Sequence, residues 1–166
     1  MCVTPKDTLI LHAAVVEYNG KGYLFMGNSG TGKSTHSRLW TKHISGARVI
    51  NDDQPVIRIH PDGTSWVYGT PWGGKKPVYC NVKLPIGGII QLEQAPSNEI
   101  RQEKRLEAYS HLWDALFNRY SMEQTDILHN TITKLMSSVT IWHLNCLPNK
   151  EAAILCCKTV TKKKKC

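Results

Sequence analysis

The octapeptide Gly27-Asn28-Ser29-Gly30-Thr31-Gly32-Lys33-Ser34 constrains this chain more than any other feature. It satisfies G-x-x-x-x-G-K-[ST] at every fixed position, a pattern that chance would place in 166 residues of ordinary composition in below about 1% of cases. Glycines let the backbone curl so that successive amide hydrogens point inward and form a nest for an anion. A helix that starts at Lys33 adds the positive end of its dipole. Lys33 can then reach the outer phosphates of a nucleotide, and the Ser34 hydroxyl can ligate Mg²⁺. The flanks agree with this reading, because an apolar strand precedes the loop and no Gly or Pro interrupts residues 33–43 after it.

Hydrophobic periodicity predicts the surrounding elements. Residues 9–18 are an apolar, β-branched run that Asn19-Gly20 turns back into residues 22–26, a hairpin signal. A helix over 33–43 stops near Gly46. A short strand over 47–50 runs into Asn51-Asp52-Asp53, and strands over 56–60 and 65–68 flank Pro61-Asp62-Gly63. Residues 69–77 are a loop rich in Gly and Pro, and 86–93 read as a buried strand. Amphipathic helices are expected over 105–120 and 123–138, a last strand over 139–144, and a helix opened by Pro148-Asn149. The expected fold class is α/β, a mixed sheet with hairpins in the first half and helices in the second.

Composition narrows the partners. The formal charge of +8 comes from 21 basic and 13 acidic residues, but the lysines of residues 158–166 supply five of the basic ones; without them the balance is +3. The expectation is one folded domain over 1–157 and a basic, flexible tail over 158–166, with no specific nucleic-acid partner. No segment reaches the apolar length of a membrane span and the start is not a signal peptide, so a cytoplasmic protein without a membrane partner is expected. The six cysteines lack metal-site spacing, and reduced thiols are the expectation, with Cys156 and Cys157 on the apolar face of the last helix.

Acids directly after an apolar strand are suited to handling Mg²⁺ beside a phosphate loop. Of the adjacent Asp52 and Asp53, one can hold the metal while the other accepts a proton from an attacking hydroxyl. His12 is a polar residue inside an apolar run; read from that run alone, it is a buried histidine bonded to backbone.

Together, Leu11-His12-Ala13, the loop 27–35 and Asn51-Asp52-Asp53 resemble the catalytic domain of HPr kinase/phosphorylase, whose core is shared with phosphoenolpyruvate carboxykinase. Ser29-Gly30 reproduces the inner part of that family's loop, and Gly69-Thr70-Pro71-Trp72-Gly73-Gly74 with Leu84-Pro85 resembles small HPr-kinase-like proteins. The resemblance covers roughly residues 9 to 95. It implies a phosphoenolpyruvate carboxykinase-like phosphate-loop core that uses ATP and Mg²⁺. The nucleotide would be held by Gly27, Asn28, Ser29, Gly30, Thr31, Gly32, Lys33, Ser34 and Thr35, with Ser34 and Asp53 on the metal. Asp52 would be the base, with Lys33 and His12 near the transferring phosphate. The activity implied is phosphoryl transfer to a serine-type hydroxyl on a protein, peptide or small molecule. The related kinases form rings, which makes a homo-oligomer one expected state.

The chain departs from that pattern at Thr35, where the family has Glu, and in lacking an arginine- and glycine-rich segment late in the sequence. Those departures keep a second reading open, a nucleotide-binding regulatory module without turnover. Lys75 and Lys76, and separately Arg101, Lys104 and Arg105, are further candidates for meeting a phosphate; Trp66 and Trp72 read as packing residues.

Overall fold

The computed structural model describes residues 6–69, 82–117 and 122–162. In chain order these carry β1 (Thr8–Ile10), β2 (Ala14–Tyr18), β3 (Lys21–Met26), α1 (Lys33–His43), β4 (Arg48–Asn51), β5 (Val56–Ile59), β6 (Ser65–Tyr68) and β7 (Lys83–Gln94). Then follow β8 (Glu99–Gln102), α2 (Arg105–Asp114), α3 (Met122–Ser138), β9 (Ile141–Cys146) and α4 (Lys150–Val160). The strands form one mixed sheet organised on the 12-residue β7. β7 runs parallel to β3 and β9 and, at its start, antiparallel to β6. From β6 the sheet extends through β5 to β1, from β3 through β2 to β4, and β8 closes the edge beyond β9.

Alternation along the central strands sends successive side chains to opposite faces and builds two cores. Leu24, Met26 and Ile89 pack with Leu112 of α2 and Leu128, Ile132 and Leu135 of α3. Tyr23, Phe25, Ile90 and Leu92 pack with Trp40 of α1 and Ala153, Cys156 and Val160 of α4. Trp40 is fully buried, its indole 5.4 Å from the Phe25 ring and 5.5 Å from Tyr23 by centroids. That aromatic cluster seats α1, and therefore the loop that precedes it, on the sheet. Among the described residues, no helix is long and apolar enough to cross a membrane.

Most expected elements are present, with ends moved by a residue or a few. Asn19 and Gly20 both have positive φ, 50° and 77°, as the tight turn between β2 and β3 requires. Three expectations need correction. The run 9–18 is not one strand: β1 pairs with β5, whereas β2 pairs with β3 and β4. Between them the amides of Leu11, His12 and Ala13 donate to the carbonyls of Pro55, Ala115 and Asp53. The break was hidden because residues on both sides of it are buried, so the apolar run continues through it. The helix expected over 105–120 ends as α2 at Asp114, where Leu116 turns to bridge Leu11. β8 was not anticipated: its four residues, Glu99-Ile100-Arg101-Gln102, are mostly polar and form a strand by pairing with β9.

Cys146, Cys156 and Cys157 are free and buried, and burial pushes the Cys156 thiol well above its ordinary pKa. Trp66 is half-buried on β6, its indole nitrogen donating to Thr64 Oγ1 and its ring stacked on His60. The expectations for Lys75, Lys76 and Trp72 lie outside the described residues, as does the last part of the basic tail.

Candidate functional site

β3 delivers Gly27 to the C-terminal edge of the sheet, and the chain then folds over 27–32 before α1 begins. Gly27 is packed so closely that a Cβ there would lie 2.3 Å from Thr31 Oγ1. Thr31 closes the loop on itself, its amide donating to Asn28 O at 3.1 Å and its hydroxyl at 2.8 Å. Gly32 stands immediately before α1 with φ of 96°, a left-handed conformation that favours glycine. Its carbonyl accepts the first bond of the helix from His36 N, which leaves the amides of the preceding helical residues without an intrahelical acceptor. Asn28, Ser29 and Gly30 are exposed at the tip, and Gln94 at the end of β7 braces it by donating Nε2 to Gly30 O at 3.1 Å.

Lys33 is the charge in this loop. Its side chain is buried, and Nζ donates to Gly27 O at 2.8 Å and Asn28 O at 3.3 Å. Burial pulls its pKa below the usual lysine value, while Asp53 and Asp52 oppose that fall by favouring the ammonium. Ser34, one residue on, donates its hydroxyl to Asp52 Oδ1 at 2.8 Å. Thr35 is exposed on the first turn of α1.

The two acids follow β4 in a bend held by Asn51, which is fully buried and whose Oδ1 accepts from the amides of Asp53 and Gln54 at 2.9 and 3.0 Å. That turn gives the two carboxylates different partners. Asp52 faces Ser34, and Asp53 Oδ1 meets His12 Nε2 at 2.8 Å. His12 is not a buried core histidine: its side chain is 44% exposed, because it occupies the break between β1 and β2. Leu11-His12-Ala13 thus crosses the bend directly, with Ala13 N bonded to Asp53 O at 3.0 Å.

The resemblance implied Ser34 and Asp53 on the metal and Asp52 as the base, while the residues alone left the two acids open; the Ser34 hydroxyl bonds Asp52, and His12 pairs with Asp53. The roles of Asn51 and Gln94 were not read from the sequence: the first is a local Asx-type turn onto Asp53 and Gln54, and the second spans the 64 positions to Gly30 and leaves no local pattern. Arg101 is committed to Glu107 through bonds of 2.9 and 2.6 Å, and it holds that carboxyl down to about 2. Lys104 caps α2 and Arg105 opens it, and in the described contacts none of these three cations reaches the loop.

A groove of about 160 Å³ runs beside the loop, lined on its apolar side by Leu39, Leu147 and Pro148 and on the other by Gly30, Gly32 and Thr35. It is small but adjoins the amides at the start of α1.

No family model and no curated protein matches the chain. Among solved structures, the HPr(Ser) kinase/phosphatase from Coxiella burnetii is similar over 91% of this chain and 92% of its own, at 12% identity and a TM-score of 0.47. At that level the likeness assigns no role to any residue, and the chemistry rests on the side chains themselves.

Proposed function

We propose that the chain binds a nucleoside triphosphate, with ATP and Mg²⁺ the expected pair, and transfers its terminal phosphoryl group to a hydroxyl acceptor. The observation that carries this reading is the Ser34–Asp52 bond. It spans 18 positions and ties the anion-binding loop to an acidic bend that also holds the Asp53–His12 pair. A glycine-rich connector that bound nothing would have no need of an acid and an imidazole at its mouth.

The donor set fits the phosphates and their cation. The loop amides and Lys33 supply positive potential, the ammonium held at the loop by the Gly27 and Asn28 carbonyls. Ser34 Oγ and the Asp52 carboxylate are two hard oxygen donors side by side, the class that Mg²⁺ takes. When bound, Mg²⁺ would neutralise charge on the phosphate oxygens. Asp53 is left as the base. Its carboxylate, oriented by His12, takes the proton of the incoming hydroxyl, and the imidazole stabilises the charge arrangement on that side. The groove beside Leu39, Leu147 and Pro148 offers an apolar surface for the nucleoside.

Binding of labelled ATP with and without Mg²⁺, together with label transfer to free serine and to mixed serine peptides, tests the assignment. Asp53→Asn should keep nucleotide binding and lose transfer by roughly 10²- to 10⁴-fold. Asp52→Asn should abolish the advantage that Mg²⁺ gives to binding, and Lys33→Met should weaken binding with or without the cation. Equal transfer by wild type and Asp53→Asn would refute the role of Asp53. Tight binding with no product from any acceptor would favour the regulatory module without turnover.

A further inference from the structure

A second constellation lies on the other face of the sheet from α1, and the nucleotide reading does not use it. Glu103, in the turn between β8 and α2, His111 on α2 and His143 on β9 bring one ligand atom each within 4.8 Å of one another. Glu103 Oε1 stands 2.7 Å from His111 Nδ1 and 3.0 Å from His143 Nδ1. The Glu103 side chain has no exposure to solvent, and its other oxygen, Oε2, is buried without a hydrogen-bond partner. A buried carboxylate with one orphaned oxygen costs stability unless a cation completes it.

The protons sharpen the point. Both ring nitrogens of His143 face oxygen: Nε2 meets Glu93 Oε2 at 2.8 Å and Asn145 Oδ1 at 3.2 Å, and Nδ1 meets Glu103 Oε1 at 3.0 Å. A neutral imidazole carries one N–H, so it serves one of these sides and turns a lone pair towards a carboxylate oxygen on the other. Either a second proton or a metal ion must lie between them. The carboxylate on the far nitrogen is the arrangement that fixes the tautomer of a metal-bound histidine and raises its basicity. Glu107 Oε1, held by Arg101, lies 4.0 Å from His143 Nδ1 and extends the outer ring of negative charge.

We propose that Glu103, His111 and His143 form a binding site for a borderline divalent transition ion, Zn²⁺ by the chemistry of the donors. Two imidazole nitrogens and one carboxylate oxygen are a common three-ligand set for that ion. A tetrahedral centre needs ligand atoms roughly 3.4 Å apart, so small rotations of the Glu103 and His111 side chains open the space. The His111 side chain is 28% exposed, which leaves the fourth position open to water. The ion staples α2 and the β8–α2 turn to β9, whose neighbour β7 carries Glu93 and then Gln94, the brace of the Gly30 loop. The proposal does not depend on the nucleotide reading.

Titration of the metal-free full chain with Co²⁺ and with Zn²⁺ tests it. The expected result is one equivalent of Co²⁺ with the intense visible bands of a tetrahedral N/O site and no thiolate charge-transfer band. Zn²⁺ at about a hundredfold its Kd should raise the melting midpoint by roughly 5–10 °C. Both signals should vanish in His111→Ala and in Glu103→Gln, two variants chosen so that loss of folding in one leaves the other informative. Asp52→Asn should keep both, which separates this site from the phosphate loop. Weak six-coordinate bands, a thiolate band, or unchanged binding in the folded variants would overturn the proposal.

Discussion

The α1 helix that follows the glycine-rich loop carries a titratable residue in the core beneath it, and acid should expose its cost. His36 is 3% exposed, its ring packed edge-on against Phe25 with centroids 4.8 Å apart. Its Nε2 accepts from Trp40 Nε1 at 3.1 Å, so the ring is neutral and protonation would break that bond as well as bury a charge. Burial lowers the His36 pKa to about 4 from an ordinary 6.5. Below pH 6.5 the unfolded chain therefore binds a proton that the native state refuses, and stability falls as pH falls until about 4. At pH 4.5 the loss worked from those two values is about 2.5 kcal/mol, and it approaches about 3 kcal/mol near pH 4. A domain of this size has on the order of 5–15 kcal/mol in total. Urea unfolding of wild type and His36→Gln between pH 7.5 and 4 isolates the effect, because Gln can still accept from Trp40 and does not titrate. The two should run parallel above pH 7, and the wild type should then lose about 2.5 kcal/mol more than the variant by pH 4.5. A flat difference across that range would mean that His36 is not buried as a neutral ring, and would refute the argument.

Two further outcomes follow from the packing. Gly27→Ala should weaken nucleotide binding by at least about tenfold, because its Cβ would strike Thr31 Oγ1 at 2.3 Å. Thr31→Ala in the same chain should restore part of that affinity, and no recovery in an isothermal titration would show that the clash is not the cause. Asn149 caps α4 by accepting from Ala152 N at 3.0 Å and also accepts from Asn98 Nδ2 at 3.1 Å. Asn149→Ala should cost about 1–2 kcal/mol in urea unfolding and Asn149→Asp much less; equal losses would point away from the cap.

Local chemistry made much of this molecule legible in the chain. The loop 27–32, the helix from Lys33, the Asn19-Gly20 turn and the Asn149 cap each depend on residues within a few positions of one another. Glycines, a capping side chain and a 3.6-residue period announce such features directly. The acidic pair was also visible, since its meaning came from adjacency to an apolar strand. Less visible was the break at Leu11-His12-Ala13, because the chain crossing between two parts of the sheet stays apolar and buried on either side of His12. β8 was invisible for the opposite reason, since four mostly polar residues become a strand only when β9 offers them hydrogen bonds.

What the sequence determined by itself is therefore a glycine-rich loop set between a strand and a helix, with a lysine, acids and a histidine available. Tertiary structure alone decided who meets whom. It turned the bend at Asn51 so that Asp52 faces Ser34 while Asp53 faces His12, an exchange of partners that adjacency in sequence left open. It also drew Glu103, His111 and His143 to one point from a turn, a helix and a strand. Spacings of 8 and 32 residues between them carry no periodic signal. Only the pairing of β8 with β9 and the packing of α2 on the sheet bring those three side chains within bonding distance.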